Sequence, residues 1–124
     1  MAKVLGVGGV FFKSPDPQKL MDWYARWLNF PTGDGSSVTF LPAAMPPDSL
    51  TVWSPFEADT TYFEPARREF MFNLVVDNLD EALQQVQAGG APLVGAVEDY
   101  SYGRFGWFMD PDGNKVELWQ PKSS

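Results

Sequence analysis

The chain contains no cysteine and no histidine. Without cysteine it forms no disulfide, offers no thiolate nucleophile and holds neither an iron–sulfur cluster nor a sulfur-ligated zinc ion. Without histidine it lacks the commonest general base, the serine-type triad and the commonest metal ligand. Positive charge is scarce as well. Nine Lys and Arg stand against 16 Asp and Glu, for a net charge of −7. Nucleic-acid binding needs a basic footprint, and an anionic membrane surface repels an acidic protein, so both partners are excluded. The charge serves solubility, and beyond that points to neutral or cationic ligands. No apolar run approaches the ~18–20 residues needed to span a bilayer. Lys3 followed by Val4 to Phe12 superficially resembles a signal peptide. Lys13-Ser14-Pro15-Asp16 interrupts it and no small-residue cleavage site follows, so a buried first strand of a cytoplasmic protein is expected.

What remains is a globular composition: 124 residues, 44% hydrophobic and 15% aromatic, the size of one domain. After the first strand, Asp16-Pro17 reads as a helix N-cap with proline at the first helical position. Leu20, Met21, Tyr24, Trp27 and Leu28 then mark one face of an amphipathic helix, which Asn29, Pro31 and Gly33 end. Short strands are expected over 38–41 and 50–53, and 56–69 is an aperiodic connector. The pattern then restarts. A strand is expected over 70–76, and Asn78 with Glu81 opens a second helix carrying Leu79, Ala82, Leu83 and Val86. Gly89-Gly90 stop that helix. Strands follow near 93–97, 104–109 and 115–119, the last two joined by the turn Asp110-Pro111-Asp112-Gly113.

The two halves read as copies. Ser49 to Pro55 lies residue for residue on Lys115 to Pro121, while Asp16, Met21 and Tyr24 fall on Asn78, Leu83 and Val86. Two matches in the same order, over the same β-α-β-β-β succession, indicate an internal duplication. The expected fold is α+β, with module 1 over about 4–55, the connector over about 56–69 and module 2 over about 70–121. Each module is too small to close its own core, so the two form one domain.

Three segments carry a family resemblance: Ser14-Pro15-Asp16-Pro17 leading into Trp23 to Leu28, Val75 to Ala82, and Gly103 to Leu118. With the duplication they resemble the vicinal oxygen chelate superfamily of glyoxalase I, bleomycin-resistance proteins and extradiol dioxygenases. The resemblance implies a curved eight-stranded sheet around a cleft, and often a homodimer. In the enzymes it also implies a divalent metal on four positions, which fall here on Gly9, Thr51, Met71 and Glu117. Only Glu117 binds such a cation, and about three protein ligands are needed. No cofactor and no metal are therefore expected.

Strand alternation names the residues that share the cleft face with those positions: Phe11, Lys13, Trp53, Asn73 and Trp119. Phe105 and Trp107 join them by resemblance. The candidate ligand site is thus Phe11, Lys13, Thr51, Trp53, Met71, Asn73, Phe105, Trp107, Glu117 and Trp119, with Lys13 either neutralising Glu117 or pointing into water. Aromatic walls with a carboxylate suit a planar or cationic molecule. Trp53, Trp107 and Trp119 read equally as core, and Glu117 equally as a residue that only hydrogen-bonds. Gly6-Val7-Gly8-Gly9 is no dinucleotide loop, because Phe11 stands where the third glycine belongs and no helix follows. Ser14 and Ser54 have no base, and Asp99-Tyr100-Ser101-Tyr102 reads as a mobile rim loop.

The leading expectation is metal-independent binding of a small organic molecule, as in drug-sequestering bleomycin-resistance-like proteins. One alternative is a lyase, isomerase or dioxygenase-related enzyme with Glu117 as general base. The other is a dimeric interaction module without a ligand.

Overall fold

The computed structural model describes residues 1–3, 5, 7, 9–32 and 37–122. Helix α1 spans Pro17–Leu28; the Asp16 side chain accepts from the Lys19 backbone N–H at 3.1 Å and caps it. Asn29 ends the helix in the left-handed conformation, with φ of 53°. Helix α2 spans Leu79–Ala88 and is capped by Asn78, which accepts from the Glu81 N–H at 3.1 Å. Among the described residues four strands accompany them: β1 (Phe72–Val75), β2 (Glu98–Tyr100), β3 (Gly103–Met109) and β4 (Lys115–Pro121). From β1 onward the elements therefore run β-α-β-β-β. The sheet is mixed and open, in the order β1-β4-β3-β2, with β1 parallel to β4 and the other pairs antiparallel.

Strand alternation divides this sheet into two faces. Val116 and Leu118 of β4 and Phe108 of β3 are buried beneath Leu79, Leu83 and Val86 of α2 and Leu20 and Tyr24 of α1. Each such side chain stabilises the fold by roughly 1.5–3 kcal/mol. Gly106 lets α2 approach: a Cβ there would lie 2.9 Å from Leu83 Cδ1. The helices are tied together by the Trp23 indole, which donates to the Gly89 carbonyl at 2.9 Å and stacks on Phe108.

The β3–β4 turn does more than reverse the chain. Asp110 is buried and accepts from the Tyr24 hydroxyl at 2.8 Å, from Asn114 Nδ2 at 2.9 Å and from the backbone N–H groups of Asp112 and Asn114. Ser14 donates to Asp112 at 2.6 Å. Asp110 and Asp112 thus pin α1 and the residues before it to the far end of the sheet.

The first half departs from the expected strands. Residues 4, 6 and 8 of the expected first strand lie outside the described residues. Among the described ones, 9–13, 38–41 and 50–53 form no strand beyond an isolated bridge between Thr32 and Val38. A strand requires a partner strand for its backbone N–H and C=O groups, and among the described residues these segments have none beyond that bridge. The buried first strand is corrected accordingly: Phe11 is 97% exposed, although Phe12 packs on Phe72 at 4.7 Å between ring centres. The expected rim loop at 99–102 is also corrected. Asp99 and Tyr100 belong to the edge strand β2, which hydrogen-bonding to β3 orders, and only Ser101-Tyr102 turn.

Candidate functional site

The face of the sheet away from the helices gathers the polar and aromatic groups. In β4 the alternation that buries Val116 and Leu118 turns Lys115, Glu117 and Trp119 to this face. Register then sets their neighbours: Trp107 of β3 and Asn73 of β1 both lie opposite Glu117, and Phe105 lies opposite Trp119. The Glu117 carboxylate accepts from Asn73 Nδ2 at 2.6 Å through Oε1. Its Oε2 accepts from Trp107 Nε1 at 2.8 Å and from the Tyr62 hydroxyl at 2.5 Å. Hydrogen bonds to a carboxylate are about twice as strong as neutral ones. Three of its roughly four acceptor sites are occupied.

Tyr62 comes from the connector and lies across this cluster. Its ring meets Trp107 edge-on at 6.3 Å and stacks on Phe56 at 5.7 Å. Burial, and then the hydrogen bond and charge of Glu117, hold the Tyr62 phenol well above its usual pKa, so it remains a donor. Beneath it, Lys115 Nζ donates to the Tyr62 carbonyl at 2.5 Å and sits 4.9 Å from the Tyr62 ring centre and 5.9 Å from that of Trp107. Burial pulls the Lys115 ammonium below its usual pKa, while Glu117 and Glu98 oppose that shift.

An aromatic ledge continues the face. Phe105 and Trp119 stack at 5.8 Å, and Tyr100 and Tyr102 stack on each other at 5.3 Å beside Phe105. Gly103 makes room for this ledge, since a Cβ there would overlap the Trp119 indole.

Of the residues named from sequence, the structure brings Asn73, Trp107 and Glu117 into direct contact and places Phe105 and Trp119 beside them. Met71 immediately precedes β1 and is half-buried. Phe11, Lys13, Thr51 and Trp53 are exposed, Trp53 by 79%, and none has a hydrogen bond or ion pair to Glu117 among the described residues. The cation whose charge acts on this cluster is Lys115 rather than Lys13. Sequence reasoning missed Lys115 and Tyr62. Alternation along 115–119 places Lys115 on Glu117's face and was sufficient to find it. Tyr62 sits in an aperiodic segment and carries no such signal.

A family model describing a glyoxalase-like domain matches residues 9–119. The chain belongs to this family. Solved structures share the fold of this chain at low identity. A protein of unknown function from Agrobacterium tumefaciens str. C58 is 22% identical over 96% of this chain and 100% of its own, with a TM-score of 0.52. TioX from Micromonospora sp. ML1 is 16% identical over 88% and 93%, with a TM-score of 0.51. An integron cassette protein from V. cholerae is 16% identical over 85% and 86%, with a TM-score of 0.50. No curated protein matches the chain.

The glyoxalase-like resemblance implies a divalent metal at Gly9, Thr51, Met71 and Glu117, and these residues do not fit one. A glycine and a methionine contribute no hard ligand, Thr51 is exposed, and three protein donors already hold Glu117. Among the described residues no group of three or more Asp or Glu is placed to hold a metal ion. The same residues also offer no helix long and apolar enough to cross a membrane. The arrangement has the means to bind: flat aromatic surfaces, one carboxylate fixed in orientation, and one ammonium beside it.

Proposed function

We propose that this glyoxalase-like domain binds a small organic molecule on the open face of its sheet, without a metal ion. The observation that carries this reading is Glu117, fixed by Asn73, Trp107 and Tyr62 at the foot of an aromatic face. A few fixed polar groups among aromatic side chains are what orient and hold a ligand in small-molecule sites. Sequestration of an aromatic drug or metabolite is the most concrete version. In this reading Glu117 anchors, Asn73 and Lys115 orient, and Trp107, Phe105 and Trp119 stack.

The reading extends to the whole chain as one domain. The duplicated sequence supports a β-α-β-β-β arrangement of module 1 as well, whose strands, unformed in the single chain, would complete an eight-stranded sheet on pairing with a second copy and carry Phe11, Lys13, Thr51 and Trp53 to the cleft. The exposed apolar side chains of Phe11 and Trp53 favour a covered state, and a homodimer supplies one. A cytoplasmic location goes with the same proposal.

The test is a thermal-shift panel on untagged protein, covering divalent metals, cationic glycopeptide antibiotics and aromatic metabolites. A ligand at 100 times its Kd stabilises by about 2.7 kcal/mol. A shift with an organic compound and none with metals supports the proposal. A shift with metals alone overturns it. Glu117→Gln separates binding from catalysis: it weakens a binder modestly, whereas loss of turnover with affinity intact is the mark of a general base.

A further inference from the structure

The connector residues 56–66 are held to the sheet in an unusual way. Their backbone closes turns on itself, with Thr60 donating to Glu57, Glu64 to Thr61 and Ala66 to Phe63, each at 3.0 Å. Among the described residues, the hydrogen bonds that join this segment to the sheet are the two made by Tyr62: its hydroxyl to Glu117 and its carbonyl from Lys115. Tyr62 is itself 37% exposed and lies over Trp107, which is 6% exposed, and over buried Lys115. The carboxylate, the indole and the ammonium that a ligand would use are therefore already occupied by a tyrosine of the same chain.

We infer that Tyr62 is a built-in plug, and that its three contacts define the ligand that displaces it: a hydroxylated aromatic compound bearing a carbonyl group. The inference rests on the binding reading above and deepens it. The phenol O–H gives Glu117 Oε2 a donor, and a ligand lacking one leaves that oxygen short of a partner. The ring supplies an edge-to-face contact to Trp107. The carbonyl gives Lys115 Nζ an acceptor; among the described residues that ammonium has no ion pair within 4.0 Å, so losing the carbonyl strands a buried charge. A ligand that reproduces all three contacts exchanges with Tyr62 at little cost in hydrogen bonds, and Phe56, stacked on Tyr62, travels with it. The plugged state lowers apparent affinity by the fraction of molecules that are open.

The matched probes are 4-hydroxychalcone and chalcone, which share an aryl ketone and differ by one hydroxyl. Binding to wild type, Tyr62→Phe and Tyr62→Ala is measured by isothermal titration calorimetry. Tyr62→Ala is expected to bind 4-hydroxychalcone about tenfold more tightly than wild type, because the hydroxyl and ring contacts that hold the closed state are removed while the backbone carbonyl remains. Tyr62→Phe, which keeps the ring, is expected to fall between them and covers the case in which the alanine variant does not fold. In either variant the hydroxylated probe is expected to bind about tenfold more tightly than chalcone, and Glu117→Ala to erase that preference. Equal affinity of wild type and both variants overturns the plug, and equal affinity for the two probes overturns the ligand class. If the chalcones fail to bind any of the proteins while the thermal-shift panel yields an organic ligand, this inference falls and the binding reading stands. If both experiments yield nothing, both fall.

Discussion

Replacing Asp110 with alanine tests whether the β3–β4 turn is the bolt that holds α1 to the sheet. The substitution removes a carboxylate that accepts four hydrogen bonds, two from backbone N–H groups and two from the side chains of Tyr24 and Asn114. Tyr24 and Asn114 are both buried, so neither donor finds water once Asp110 is gone. Each stranded buried group costs about 1–3 kcal/mol, so Asp110→Ala should destabilise by about 3–5 kcal/mol. Tyr24→Phe removes one donor and leaves the carboxylate with three, at an expected cost of about 1–2 kcal/mol. Because the two residues share a bond, the double variant should cost less than the sum, with a coupling of about 1–2 kcal/mol. Urea denaturation followed by circular dichroism measures all three. The midpoint should fall with the slope unchanged, and the melting temperature should drop by about 4 °C for each kcal/mol. A loss below about 1 kcal/mol for Asp110→Ala, or strict additivity, refutes the argument.

Three further outcomes follow from particular contacts. Gly106→Ala should destabilise by about 1–3 kcal/mol, since its Cβ would press Leu83 at 2.9 Å; an unchanged midpoint in the same urea assay shows that α2 can yield. Burial and Asp110 raise the Tyr24 phenol above its usual pKa of 10.0, and burial and Glu117 do the same for Tyr62. Their contribution is therefore complete below about pH 10 and is lost as pH rises beyond it, because the unfolded chain releases those protons first. Urea midpoints at pH 8 and pH 11 should show that fall, and Tyr24→Phe should reduce it; a flat profile contradicts the assignment. Phe108→Ala should cost about 3–5 kcal/mol by opening a cavity under both helices, and a loss under 1 kcal/mol in thermal denaturation would mean that Phe108 does not centre the core.

Both helices were legible in the sequence because each announces itself locally. Asp16 and Asn78 cap them, and apolar residues recur at helical spacing behind each cap. Strands β1, β3 and β4 were legible because their buried faces alternate and a type I turn signal separates the last two. The strands expected in the first half read just as clearly as patterns, but pairing depends on a partner strand and not on the pattern itself. Phe11 and Trp53 show the difference, being apolar at the right positions and open to solvent. Asp110 was legible as a turn residue, yet its bond to Tyr24 crosses 86 positions of sequence and leaves no local trace. Around the site, β-strand register gathers Asn73, Trp107 and Glu117; the family resemblance supplied Glu117 and Trp107, and alternation counted from its positions added Asn73. Tyr62 joins them through its hydroxyl, its ring and its carbonyl from a segment with no period, which is why no spacing rule finds it.

The most direct test of metal-independent binding watches the donors that hold Glu117. The Trp107 indole N–H and the Asn73 side-chain amide both give signals in a nitrogen–proton correlation spectrum, and both point at the same carboxylate. Untagged, chelator-treated protein is titrated with the organic compound that gives the largest thermal shift. These two signals are expected to move first and saturate together while the chelator is present. If they stay fixed as the compound binds elsewhere, or move only after a divalent metal is added in excess of the chelator, the central claim is contradicted.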